Sequence, residues 1–214
     1  MAADRLGTMA NMSHRAAHTL TASLRPLLRS RRTKLTLGEM VAGIEGNAGL
    51  GHVLFVLILP VLLPMPPGVS MVLALPLLVV APQIVVGRQS LWLPKALARQ
   101  AIKRSELAKL LRRVLPFLDR VERLARPRLS FLTGRIGASA IGVACTLVAC
   151  VLVLPIPFAN LIPALAIAAF AVGLARKDGL FVLTGYALII AAALVIALGV
   201  HGIAAAFSHL RTMY

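Results

Sequence analysis

Five apolar runs, at about 50–63, 69–87, 136–154, 160–175 and 180–207, carry no acidic residue between them. A spanning helix needs about 20 apolar residues, so these runs are of crossing or near-crossing length. A chain that is 59% hydrophobic and only 14% charged lies outside the range of ordinary soluble domains. Its mean hydropathy of +0.88 agrees. The 214 residues allow one helical domain. The expected fold class is therefore an all-α integral membrane protein. Residues 1–34 are interrupted throughout by Arg and His, so no cleaved export signal is expected and the first apolar run serves as the insertion signal.

A net charge of +16 would suggest nucleic acid in a soluble protein, but here its distribution matters more. Seven of the 23 Lys and Arg residues fall in 1–34, thirteen between Arg88 and Arg135, two at Arg176 and Lys177, and one at Arg211. The positive-inside rule then places the N-terminus, the 88–135 segment and the 176–179 turn in the cytoplasm. No nucleic-acid partner is expected, because the basic residues alternate with Leu, Val and Ala at helical spacing. Anionic lipid is the partner such faces suit.

The first and fourth runs are short. A 14-residue helix reaches about 21 Å, against a hydrocarbon core of about 30 Å. Either four short helices span the membrane or two re-entrant hairpins stop inside it. The last run is long enough to cross alone, and Ala191, Ala192, Ala193 and Ala197 suit close helix packing.

One offset of 91 residues pairs Gly43 with Gly134, Gly51 with Gly142, Leu63 and Pro64 with Leu154 and Pro155, and Pro66 with Pro157. A single register joining Gly and Pro positions predicts two copies of a helix, proline corner, helix unit. The expected organisation is an N-terminal amphipathic segment at 13–34, repeat 1 at 36–94, an amphipathic cytoplasmic connector at 95–126, repeat 2 at 127–179 and a C-terminal transmembrane helix at 180–207. By charge, both hairpins enter from the same side.

Each proline in the corners removes an N–H and frees a carbonyl, which lipid cannot satisfy. Such a corner persists where it reaches the interface, is buried in protein or lines a wet cavity. Pro64, Pro66, Pro67, Gly68, Pro155, Pro157 and Asn160 thus form a candidate pocket, together with Gln83, an amide within an otherwise apolar run. The alternative is a plain inter-helix turn with Asn160 as a helix cap and Gln83 in an interhelical hydrogen bond. Glu39, Glu45, Arg88 and Asp178 flank the runs as candidate cytoplasmic polar residues. His52 and His201 lie near run ends, at expected interfacial positions.

Residues 95–126 read as an amphipathic helix divided at Pro116, with Asp119 to Arg123 and Glu122 to Arg126 as charge pairs. Trp92 suits an interfacial anchor. Cys145 and Cys150, five apart in one apolar helix, read as core thiols with no disulfide or metal site. No Ser-His-Asp spacing, phosphate loop or zinc-ligand spacing occurs, so no catalytic residue, cofactor or metal is expected, and no enzyme. "GNAGLG" at 46–51 follows no strand, which argues against a nucleotide site.

The succession "LTLGEM" (35–40), "LPMPPG" (63–68), "LPLLVVAPQIVVGRQSLWLP" (75–94), "RPRLSFL" (126–132), "LPIPFAN" (154–160) and "GLARKDGL" (173–180) resembles the ExoD family of bacterial exopolysaccharide-synthesis membrane proteins. The resemblance covers about residues 33–190. It implies a part in making or exporting exopolysaccharide and a bacterial inner-membrane location, and it supplies no catalytic mechanism. The chain departs from the family pattern at Asn47, where a basic residue is common; an anionic ligand held there would meet a different site.

Two functions remain open. One is a non-enzymatic accessory component of exopolysaccharide production; the other is a small transporter of an ion, lipid or lipid-linked precursor. The absence of a carboxylate inside the apolar runs favours the first. A homo-oligomer, a dimer first, suits either.

Overall fold

The structure is a computed structural model that describes residues 19–29, 33–45, 49–63, 69–88, 92–154 and 160–213, the side chains of 26, 27, 29, 43–45, 69, 70 and 199–213 excepted. In chain order it contains α1 (Leu20–Arg29), β1 (Lys34–Thr36), α2 (Leu37–Glu45), α3 (Leu50–Ile58), α4 (Val69–Val85), α5 (Lys95–Ala98), β2 (Ala101–Lys103), α6 (Arg104–Leu124), α7 (Arg135–Val153), α8 (Leu161–Arg176) and α9 (Gly179–Met213). Two 3-10 turns, Leu59–Leu62 and Ser130–Thr133, extend α3 and precede α7. Helices thus occupy all five apolar runs.

α3 is apolar all round, and every residue from Gly51 to Ile58 is buried, as expected of a central helix. It packs against α8, while α4 packs against α7, and α8 also packs against α9. Glycine permits both crossings. A Cβ on Gly51 would lie 2.5 Å from the Ala171 carbonyl oxygen and 2.5 Å from the Ala175 nitrogen. One on Gly142 would lie 2.8 Å from the Val85 nitrogen and 3.2 Å from the Ile84 carbonyl carbon. The Ser139 hydroxyl donates to the Val85 carbonyl at 2.9 Å across the second crossing. In each pair the start of one helix meets the end of the other. The starts of α3 and α7 and the ends of α4 and α8 therefore share one end of the bundle. Leu63 and Leu154, where the first helix of each pair stops, lie at the other.

Outside this bundle, α1 and α6 pack antiparallel: Leu20 meets Glu122 at one end, and the Arg104 Nη2 donates to the Leu28 carbonyl at 3.0 Å at the other. The segment 92–100 runs back along α4. The Gln83 amide is paired with the Trp92 backbone near the end of α4, and the Gln100 Nε2 donates to the Val72 carbonyl at 3.1 Å near its start. Val72 is the residue whose helical donor Pro76 removes, so Gln100 satisfies a carbonyl that proline frees.

The structure corrects several expectations. The fold is not wholly α: β1 and β2 form an antiparallel ribbon in the register Lys34 to Lys103, Leu35 to Ile102 and Thr36 to Ala101. Three residues per strand carry too little alternation to stand out in sequence. Pro116 does not divide the connector, because α6 runs unbroken from Arg104 to Leu124. Its carbonyl partner would be Arg112, which is exposed, so water can satisfy the freed group. Asp119 pairs with Arg25 of α1 at 3.7 Å instead of with Arg123. Arg126 lies beyond the end of α6, so its pairing with Glu122 along the helix does not form. Cys145 is buried as expected, but Cys150 is exposed.

Candidate functional site

Of the candidate pocket, Pro64, Pro66, Pro67, Gly68, Pro155 and Pro157 lie outside the described residues, as does Asn47. The residues leading into the two corners are described, and they match. Leu63 has φ −71 and ψ 135, and its N–H donates to the Pro60 carbonyl at 3.2 Å. Leu154 has φ −73 and ψ 134, and its N–H donates to the Val151 carbonyl at 3.0 Å. The 91-residue offset relates Leu63 to Leu154 and Pro60 to Val151. It also relates the Gly51 and Gly142 crossings, since Ile84 and Ala175 are the same distance apart in sequence.

Asn160 stands at the N-cap of α8, but its side chain makes no capping bond. Its Oδ1 is buried and accepts no hydrogen bond among the described residues. An Asn at this position ordinarily spends that oxygen on the helix N-terminus. A buried acceptor without a donor costs about 1–3 kcal/mol, and the Gln100 Oε1, beside the start of α4, is another such atom among the described residues. Gln83, by contrast, is fully engaged. Its Nε2 donates to the Val79 carbonyl at 3.0 Å and the Trp92 carbonyl at 2.7 Å, and its Oε1 accepts from the Trp92 N–H at 2.7 Å. It fixes the turn after α4, and the Trp92 side chain remains 63% exposed.

The flanking polar residues take structural positions. Glu39 and Thr36 form a capping box on α2: the Glu39 N–H donates to Thr36 Oγ1 at 3.2 Å, and the Thr36 N–H donates to Glu39 Oε2 at 3.0 Å. Thr-x-x-Glu is readable within "LTLGEM". Asp178 is buried and caps α9, accepting from the Leu180 N–H at 3.0 Å, and its other oxygen accepts from the Arg126 N–H at 3.0 Å. Arg88 is exposed, and its backbone N–H closes α4 on the Gln83 carbonyl at 3.1 Å. The side chain of Glu45 lies outside the described residues, as does that of His201. His52 is buried within α3.

Sequence reading missed Glu122. This carboxylate is buried and accepts from the Leu20 N–H at 2.6 Å, the Thr21 hydroxyl at 2.7 Å and the Thr21 N–H at 3.4 Å. It caps α1 from another helix, where the positive end of the helix dipole favours it. Beside it opens a cleft of about 500 Å³ bounded by Thr21, Arg25, Asp119, Glu122, Arg123 and Arg176. The Arg176 Nη2 donates to the Glu122 carbonyl at 3.3 Å. Among the described residues, no three His, Cys, Asp or Glu side chains converge as metal ligands would.

α7 and α9 are each long and apolar enough to cross a membrane. Only 17% of the stretch Gly179–Leu198 is buried inside the protein, so most of this apolar surface faces outward. Leu183, Ile190, Leu194 and Leu198 are among its exposed side chains.

Comparison with known proteins agrees with these features. The family described as "Exopolysaccharide synthesis, ExoD" matches residues 20–198. An uncharacterized protein of Synechocystis sp. is 35% identical over 152 residues, covering 70% of this chain and 71% of its own. Protein ExoD of Rhizobium meliloti is 32% identical over 166 residues, covering 75% of this chain and 68% of its own. No solved structure matches. The order of the motifs, the extent of the match and the likeness to a protein ExoD place the chain in one group: it belongs to the ExoD family of exopolysaccharide-synthesis proteins.

Proposed function

We propose that this ExoD-family chain is an integral bacterial inner-membrane protein with a cytoplasmic N-terminus, crossing the membrane through α9, and with a non-enzymatic, accessory role in exopolysaccharide synthesis. Its core is a duplicated helical hairpin, α3 with α4 and α7 with α8. The observation that carries this reading is the repeated pair of glycine crossings, Gly51 on Ala175 and Gly142 on Ile84, at one constant offset. A symmetric core bounded by outward apolar helices suits a component that holds partners and lipid in place. Anionic lipid on the basic face and a homodimer complete the assembly.

The hairpins are re-entrant in this account. Gln100 beside Val72 carries the connector from one end of α4 toward the other, and exposed Lys95 and Arg99 travel with it. Had α4 spanned the hydrocarbon, those charges would lie within it at a cost of several kcal/mol. A shallow hairpin keeps them at the interface.

A transporter is the second reading, favoured by the unpartnered Asn160 Oδ1 beside a proline corner. Asn160→Leu separates the two. It removes a buried polar atom without breaking any side-chain bond among the described residues, so folded protein should persist at wild-type levels. If exopolysaccharide output then falls to that of the deletion strain, the corner binds something and the transporter reading prevails; unchanged output supports the accessory role.

A further inference from the structure

We propose that the cleft between α1, α6 and the end of α8 is a phosphate-binding site for an anionic lipid headgroup. The helix N-terminus beside it cannot be the anion site, because the Glu122 carboxylate already occupies it with three hydrogen bonds. What remains is a surplus of arginine. Asp119 is paired with Arg25 at 3.7 Å and Glu122 is committed to α1, whereas the Arg123 side chain makes no hydrogen bond or ion pair among the described residues. Arg176 directs one nitrogen to the Glu122 carbonyl at 3.3 Å, leaving the rest of its planar donor fork available. Arg123 and Arg176 both line this cleft of about 500 Å³, and arginine binds phosphate oxygens through paired donors.

The location selects the lipid as its source. Arg176 ends α8, and three residues later α9 begins with an apolar surface that includes exposed Leu180 and Leu183. A headgroup in the cleft would leave its acyl chains where apolar surface is exposed, and basic residues at that level attract anionic lipid. The assignment to lipid rests on the membrane reading above; the assignment to phosphate does not.

The test uses the full chain in neutral-detergent micelles, titrated separately with phosphatidylglycerol and with inorganic phosphate, after extraction has established whether the protein is membrane-integral. Phosphatidylglycerol should bind saturably, and Arg123→Gln should weaken it about tenfold, the loss expected for one charge-assisted contact. Arg112→Gln removes the same charge from the exposed face of α6 outside the cleft and should leave binding unchanged. Because the Arg123 side chain makes no hydrogen bond or ion pair among the described residues, its variant tests the cleft without disturbing α1 or α8. Phosphate binding that depends on Arg123, with no lipid binding, would keep the anion site and overturn its lipid source. No binding of either probe, or equal loss in the two variants, would overturn the site itself.

Discussion

At the scale of single residues, one carboxylate ties the amphipathic helices together. Glu122 satisfies the Leu20 and Thr21 N–H groups and the Thr21 hydroxyl from a position about a hundred residues distant in sequence. Glu122→Ala leaves these donors buried without an acceptor, and the loss should be about 1–3 kcal/mol. In micelles this would register as a lower melting temperature and faster proteolysis near residues 19–29. Glu122→Gln keeps an acceptor oxygen and should recover part of the loss. An alanine variant as stable as wild type would remove Glu122 from this role. The partner was not legible in sequence, where spacing along one helix pointed to Arg126. Local spacing finds partners on the same helix, and this partner is on another. Thr36 with Glu39 is the opposite case: the cap is three residues away and visible in the string.

At the scale of elements, the two glycine crossings set how closely the helices approach. Gly51→Leu and Gly142→Leu each drive a side chain into a neighbouring backbone, where an added Cβ alone would lie 2.5 Å and 2.8 Å from the nearest atoms. Overpacking of this kind costs about 1–3 kcal/mol or more, and both variants should lose folded protein to a similar degree. Yields measured by fluorescence-detected size exclusion would check this; full tolerance at one site would break the equivalence of the crossings. Gly49→Leu is the control, since its added Cβ meets nothing within 4 Å. Most of this level was legible. The apolar runs foretold the long helices, because a helix that must hide its backbone from lipid needs an uninterrupted apolar stretch. The pairing of α3 with α8 and of α4 with α7 was not legible, because glycine spacing fixes a register but names no partner. The ribbon was hidden by its shortness, and the continuity of α6 through Pro116 depended on an exposure that sequence alone does not give.

At the scale of the whole molecule, the separation of surfaces matters most. α9 leaves an apolar face outward along Gly179–Leu198, while the arginine cleft and the Glu122 cap gather at the end of α8. The connector beside α4 brings Lys95 and Arg99 toward the corner end of the bundle. In the topology proposed above, the bundle end bearing Arg176 faces the cytoplasm and the two short hairpins enter from that side. The depth of the corners separates shallow hairpins from spanning helices. Met65→Cys and Ile156→Cys, each placed in a Cys145→Ser, Cys150→Ser background, can be exposed in intact cells to a membrane-impermeant thiol reagent added from outside. Re-entrant hairpins keep both thiols protected until the membrane is dissolved in detergent; rapid labelling of both in intact cells would mean spanning helices joined by external turns and would overturn the re-entrant reading.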